Sequence, residues 1–146
     1  MNSYEAEEQI VNCENQIRSN NNKIEKIKKR IAEIKQIQNN FKSSGKKFDD
    51  YINSEKRYYE QARNTLCKTH FAVQYSEEML NFANSTRTRA ASDKFYEAVH
   101  EIQRKITIKQ SEKEELESEN SKLRYRIKCL NRTKIMLEEQ ERNGVK

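Results

Sequence analysis

The sequence predicts an all-α protein whose long antiparallel helices pair as a helical hairpin or coiled coil. The 146 residues contain no proline and only two glycines, and these are the residue types that most disfavour a helix interior. Charged residues make up 36% of the chain and apolar residues 34%, which is too little apolar surface for a thick globular core. Apolar residues also recur at alternating intervals of three and four, the spacing of a coiled-coil seam.

The first helix is expected over residues 4 to 42. Alternating steps of three and four lead from Ile10 through ten positions to Phe41, and all of these except Asn20 and Gln38 are apolar. A seam of this kind over more than four heptads predicts one long helix.

The second helix is expected over residues 47 to 83, because the same frame continues from Phe48 to Ala83. The stretch KSSGKK lies between the two helices at residues 42 to 47. The unbroken frame favours a weak kink at Gly45, whereas the Ser-Ser-Gly sequence favours a turn. A turn would fold the first helix back and give a three-helix bundle, and the sequence leaves both alternatives open.

The third helix is expected over residues 89 to 142, because a shifted frame runs from Phe95 to Leu137. No large apolar residue occurs between Ala83 and Phe95, and residues 84 to 86 are Asn, Ser and Thr, which suit helix caps. We therefore expect the hairpin tip at residues 84 to 88, within a single elongated domain that comprises residues 1–146.

A turn near residue 86 would leave the residues before about position 28 without a partner on the third helix, an overhang of roughly 35 to 40 Å. It would also keep Asn20 and Asn120 apart, so each seam asparagine would need another partner. Ten of the twelve aromatic residues lie between Phe41 and Tyr96. Because bulky rings need depth, we expect this part of the chain to be the thickest.

An exposed apolar helical stripe is typical of a partner site or a dimer seam. We expect the seams of the first and third helices to bind a helical protein partner or a second copy of the chain. The predicted partner-binding residues are Ile10, Ile17, Ile24, Ile27, Ile31, Ile34, Leu116, Leu123, Ile127 and Leu130.

The sequence contains no arrangement of residues that predicts catalysis. There is no phosphate-binding glycine loop and no nucleophile with a recognisable base. Cys67 and His70 lie one helical turn apart, but zinc needs about four ligands and no second pair follows. We expect no enzyme activity, no cofactor and no metal, and we expect the three separated cysteines to be reduced thiols.

The net charge of +6 raises the alternative of nucleic-acid binding. Residues 122 to 134 hold six basic side chains and no acid, so they could follow a row of phosphates. Acidic stretches flank them, however, and alternating blocks favour charge pairing between helices. No apolar run is long enough to span a membrane and the first residues do not form a Sec signal. We expect a cytoplasmic protein, with export by a route that needs no such signal left open.

The stretch RTRAASDKF, residues 87 to 95, carries a family resemblance. Ser92 and Phe95 occupy the small and aromatic positions of a Trp-x-Gly-x-x-Ala-x-x-Phe-like element, and Arg87 and Arg89 stand at its Trp and Gly positions. In this respect the chain resembles the ESX-like helical-hairpin proteins of type VII secretion, the Trp-x-Gly group, and their longer relatives encoded beside LXG toxins. The resemblance implies a non-enzymatic adaptor or targeting chaperone that binds the N-terminal helical domain of a secreted toxin. The alternatives are a homodimeric structural coiled coil and a basic coiled coil that binds nucleic acid.

Overall fold

The computed structural model describes residues 1–66 and 69–144, without the side chains of residues 65 and 66. The described elements are helix α1 (Ser3–Gln61), a π-helical turn (Ala62–Leu66), helix α2 (His70–Ala83) and helix α3 (Thr86–Gly144). The prediction of an all-α helical hairpin is confirmed. The chain divides into two compact units: a first unit of Met1–Ala32 with Thr107–Lys146, and a second unit of Glu33–Ile106.

Helix α1 begins with a reciprocal cap. The Asn2 side chain accepts a hydrogen bond from the Glu5 amide at 2.8 Å, and the Glu5 carboxylate accepts one from the Asn2 amide at 3.0 Å. The pair satisfies amides that the first helical turn leaves without a carbonyl partner. At the same end, the Glu141 carboxylate of α3 accepts hydrogen bonds from the amide and the hydroxyl of Ser3, at 3.0 and 2.6 Å.

Of the two alternatives at residues 42 to 47, the turn and the helix boundary that it implies are wrong, because α1 continues through Gly45 without interruption. Gly45 is buried, and a Cβ atom placed on it would lie 3.0 Å from the Cβ of Phe95. The glycine therefore permits α3 to approach α1 closely at Phe95 and forms no turn. The chain leaves the α-helical path only after Gln61, and α2 then starts at the cap made by Thr69, whose side chain accepts from the Ala72 amide at 3.2 Å.

The stretch predicted as the tip, residues 84 to 88, is a two-residue break between α2 and α3. Asn84 ends α2, and the Ser85 hydroxyl caps α3 by accepting a hydrogen bond from the Thr88 amide at 3.2 Å. The Thr88 hydroxyl donates back to the Phe82 carbonyl at 3.0 Å. The prediction that this stretch supplies capping residues is thus correct, but α1 does not pair with α3 about this point.

In both units the antiparallel partners are nearly equidistant from His70 in the sequence. In the first unit Asn20 bonds to Asn120, and in the second unit Gln38 bonds to Gln103, each at 3.0 Å. A turn near residue 86 would have set Asn20 opposite a position beyond the end of the chain. The predicted overhang is therefore absent, because the α1 segment of the first unit is paired with α3 as far as Ser3.

The first unit has an aliphatic core that contains one polar layer. Ile10, Cys13 and Leu130 form its buried cluster, and Leu123 and Ile127 pack against them.

In the polar layer of the first unit, the Asn20 amide donates to Asn120, and the Asn120 amide donates to the Asn21 side chain at 2.9 Å. Asn20 and Asn120 are only 3% and 2% exposed. The expectation that they could not face each other is wrong, because the pairing is centred about 16 residues earlier than the predicted turn.

The second unit is held by different residues. Ile106 is its most deeply buried side chain, at 1% exposure, and Leu80 and Ala83 are buried on α2. The rings of Phe48 and Phe95 lie 5.9 Å apart, on α1 and α3 respectively.

Candidate protein-interaction surface

Four aromatic rings of the second unit form a continuous row, which we call the aromatic ladder. Tyr58 meets Tyr59 edge to face at 5.1 Å between ring centroids, and Tyr59 meets Tyr75 in the same manner at 6.0 Å. Phe71 stacks on Tyr75 at 6.5 Å. These separations are those of favourable ring pairs, so the ladder joins the end of α1 to α2.

The aromatic ladder is open to solvent. Phe71 is 78% exposed, Tyr58 61% and Tyr75 49%. Phe71, Tyr75 and the 59%-exposed Phe82 follow one another at intervals of four and seven, which places them within about 40° on one face of α2. Since Ser76, Leu80 and Ala83 are buried on a different face, α2 carries both a packed face and an uncovered aromatic face.

One hydroxyl group of the aromatic ladder, that of Tyr59, is held in a hydrogen bond with Tyr75. The side-chain hydrogen bond with Tyr75 raises the pKa of Tyr59 above its usual value, and burial and the neighbouring charges act in the same direction. Tyrosine is among the side chains that protein-binding hot spots favour, and three of the four ladder rings are tyrosines.

A groove of about 580 Å³ lies elsewhere in the second unit, at the close approach of α1 and α3. Phe41, Gly45, Phe95 and Val99 are among the residues that line it. Its rim is fixed by Asp49, which accepts hydrogen bonds from the Ser92 hydroxyl at 2.6 Å and the Tyr96 hydroxyl at 2.8 Å. The hydrogen bond to Asp49, and then the charge of that carboxylate, raise the pKa of Tyr96.

The predicted partner-binding residues are turned into the chain's own packing. Ile10, Ile24, Ile31, Ile34 and Leu130 are buried. The others, Ile17, Ile27, Leu116, Leu123 and Ile127, are half-buried. A partner could reach the buried members of this seam only by displacing a helix, and their role in binding stays a prediction.

The basic stretch of α3 makes contact with the acidic start of α1. Lys134 forms ion pairs with Glu7 and Glu138, and its hydrogen bond with Glu7 raises the pKa of its ammonium group. Arg126 donates to the Gln9 side chain at 3.5 Å. These contacts agree with the interpretation that the charge blocks pair between helices.

Among residues 1–66 and 69–144, no three His, Cys, Asp or Glu side chains come together as metal ligands. Cys67, one half of the Cys67–His70 pair considered from the sequence, lies outside the described residues. In the same part of the chain, no helix has an apolar stretch sufficient to cross a bilayer.

Sequence reasoning located the aromatic-rich region but misjudged the depth of its rings. Seven of the ten rings between Phe41 and Tyr96 are exposed, against the expectation that bulk here means burial. The spacing of Phe71, Tyr75 and Phe82 on one helical face was the available signal, because α2 needs its other face for the core.

Comparisons with known proteins found no matching family, no curated relative and no matching solved structure. The function is therefore inferred from the chemistry of the surface.

Proposed function

We propose that this protein is a non-enzymatic helical adaptor that binds a helical segment of another protein, and that the aromatic ladder receives this partner. The observation that carries the proposal is the continuous row of four rings, of which three are 49% to 78% exposed. An apolar patch that a chain leaves uncovered is typical of an interaction site.

The aromatic ladder is a better receiving surface than the predicted seam, because a partner can reach it without disturbing the fold. Binding at the seam would first require separation of α1 from α3, which would expose buried side chains such as Ile10 and Leu130. When a partner covers the exposed rings, their burial supplies hydrophobic free energy of binding, and α1 and α3 need not separate. Tyr and Phe rings also lose little conformational freedom on binding, since they have only two side-chain torsions.

The partner that we propose is the N-terminal helical domain of a type VII-secreted toxin, for which this chain would act as an adaptor or targeting chaperone. Support for this partner comes from the resemblance carried by residues 87 to 95. An amphipathic helix suits the ladder, because the exposed rings of α2 repeat at helical spacing and so match apolar anchors on a facing helix.

The test measures the affinity of the purified chain for the N-terminal helical domain of an LXG toxin. The double variant Phe71→Ser/Tyr75→Ser should weaken binding at least about tenfold, since central aromatic anchors carry most of an interface's energy. Tyr51→Ser is the matched control, because Tyr51 is 61% exposed, as Tyr58 is, but is not a ring of the aromatic ladder. Helix content by circular dichroism should be equal in all three proteins, and equal affinities would overturn the proposal.

A further inference from the structure

The segment of α1 in the first unit has an exposed face opposite its buried one. Tyr4, Glu8, Val11 and Asn15 follow at intervals of four, three and four, which confines them to a band of about 60°. Tyr4 is 77% exposed and Val11 42%, and Glu8 and Asn15 are exposed as well. We call these four residues the α1 outer stripe.

The segment of α3 in the same unit carries a second exposed face with the same spacing. Tyr125, Cys129, Arg132 and Met136 also follow at intervals of four, three and four, on the side of α3 away from the buried Leu130. Tyr125 is 71% exposed and Met136 61%, and Cys129 and Arg132 are exposed too. These four residues are the α3 outer stripe.

The two stripes carry opposite charges that have no partner within the described chain. Neither Glu8 nor Arg132 forms an ion pair in the described residues, whereas the neighbouring Glu7 and Lys134 bind each other. A second basic residue, Lys128, lies next to Cys129 of the α3 outer stripe. The α1 outer stripe contains Glu8 and no basic residue. An acidic and partly apolar face therefore lies on one helix, and a basic and partly apolar face on the other.

The two stripes also lie at the same level of the first unit. Glu8 and Arg132 are equidistant from His70 in the sequence, as are the bonded residues Asn20 and Asn120. Because both stripes have the same spacing and run antiparallel, a neighbouring copy in the same orientation would set Glu8 against Arg132. Val11 would then meet Cys129, and Tyr4 would meet Met136.

We propose that the α1 outer stripe of one copy packs against the α3 outer stripe of a second copy, so that the protein associates side by side through its first unit. A contact between two different faces is heterologous, so each bound copy still offers one free stripe. Association therefore does not stop at a dimer. The contact is about 17 Å long, it holds one ion pair between apolar neighbours, and it weakens as salt rises.

A second copy fits these faces better than a nucleic acid does. A polyanion would use a run of cations, but the α3 outer stripe places Tyr125, Cys129 and Met136 around Arg132. The same molecule also supplies a face that matches this pattern in spacing and charge. Tyr–Met contact is favourable in its own right, because methionine sulfur interacts with aromatic rings.

Charge exchange tests the proposal by sedimentation velocity at protein concentrations up to about 1 mM. The wild-type chain should form dimers and larger species as its concentration rises. Glu8→Arg and Arg132→Glu should each weaken association about tenfold or more, since each sets like charges against each other. The double variant Glu8→Arg/Arg132→Glu should regain association, and so should an equal mixture of the two single variants.

A wild-type chain that remains monomeric over this range would overturn the proposal, as would a double variant that stays as weak as the single ones. An Arg132→Glu variant that loses binding to a DNA duplex while its association is unchanged would also overturn it, and would assign the basic face to nucleic acid.

Disulfide trapping provides a second readout of the same register. Val11→Cys should form a disulfide with Cys129 of a neighbouring copy under mild oxidation, and tryptic mass spectrometry should identify the linked peptides. Asn22→Cys is the matched control, because position 22 is exposed on the same side of α1 but lies about three turns away from the level of Cys129. Equal trapping in the two variants would contradict the proposed pairing.

Discussion

The two units of this protein bury their apolar residues to different extents. The first unit packs Ile10, Cys13 and Leu130 in an internal seam, with Leu123 and Ile127 against them, and interrupts that seam with a hydrogen-bonded asparagine layer. The second unit contains ten of the twelve aromatic residues but leaves seven of them exposed. The pairing of helices thus buries much of the apolar seam that the heptad pattern predicts, whereas the aromatic ladder of the second unit stays exposed.

The largest expected effect contrasts one buried aliphatic residue from each unit. Ile106→Ala should lower the free energy of unfolding by about 3 to 4 kcal/mol, because a side chain that is 1% exposed leaves a cavity closed on all sides. Leu130→Ala in the first unit should cost less, about 2 to 3 kcal/mol, since Leu130 is 8% exposed. Urea unfolding measures both changes, and a larger loss for Leu130→Ala would contradict this ranking.

The asparagine layer should govern specificity in the first unit. Asn120→Ala should cost about 1 to 3 kcal/mol, because it leaves the buried Asn20 amide without its acceptor. The double variant Asn20→Leu/Asn120→Leu should instead be more stable than the wild type but less uniform in register or oligomeric state, as when a seam asparagine is lost from a coiled coil. Thermal unfolding measures the stability, and sedimentation measures the uniformity of the oligomeric state. A double variant with one uniform state would show that the asparagines do not determine specificity.

The close contact at Gly45 should make a helix-favouring substitution harmful in the second unit. Gly45→Ala should lower stability by about 1 to 2 kcal/mol, because the new methyl group would press on the Cβ of Phe95. Helix propensity alone predicts a gain of about 1 kcal/mol. Gly144→Ala is the control, since nothing lies within 4 Å of a Cβ at that position. A stabilised Gly45→Ala variant would show that α3 can move away at little cost.

The smallest expected effects should separate the two units by pH. In the first unit, hydrogen bonds from the Ser3 hydroxyl and amide lower the pKa of Glu141 in the folded protein. These bonds therefore stabilise the fold above the unfolded-state pKa of about 4.3. Their contribution to the free energy of unfolding is lost as the pH falls through the lower folded-state pKa. The stability difference between wild type and Ser3→Ala should therefore shrink in acid.

In the second unit the pH dependence of stability has the opposite direction. Hydrogen bonding to Asp49 raises the pKa of Tyr96 in the folded protein. This hydrogen bond therefore stabilises the fold fully below the unfolded-state pKa of about 10. Its contribution to the free energy of unfolding is lost as the pH rises through the higher folded-state pKa. The stability deficit of Tyr96→Phe should be present at neutral pH and disappear in strong alkali. Urea unfolding across pH would check both variants, and equal pH profiles would contradict the assignment.

The sequence was sufficient for the helical hairpin and for the seam positions, but not for the register of pairing. A heptad pattern repeats every seven residues and fits several registers equally well, so the capping residues at 84 to 86 do not by themselves locate the point about which the helices pair. The decisive interactions join distant residues: Asn20 with Asn120, and Gly45 with Phe95. Two signals in the sequence could have identified the register. The two seam asparagines are centred near residue 70, and so are the charge blocks of opposite sign.

The exposure of the aromatic ladder could not be predicted for a related reason. Whether Tyr58, Phe71 and Tyr75 are covered depends on what lies across from α2, and composition does not specify that. Ser76 is buried while the adjacent Tyr75 is 49% exposed, so residue size alone does not predict which face of α2 packs.

The register also has a consequence for the order of folding. The bond between Asp49 and Ser92 closes a loop of 43 residues, and the bond between Ser3 and Glu141 closes one of 138 residues. Loop-closure entropy makes the longer closure about 1 kcal/mol more costly if it occurs first. We therefore expect α1 and α3 to pair first in the second unit and then progressively towards Ser3. In pulsed hydrogen exchange, amides around Asp49 should be protected before those around Asn20, and the opposite order would rule out this sequence of events.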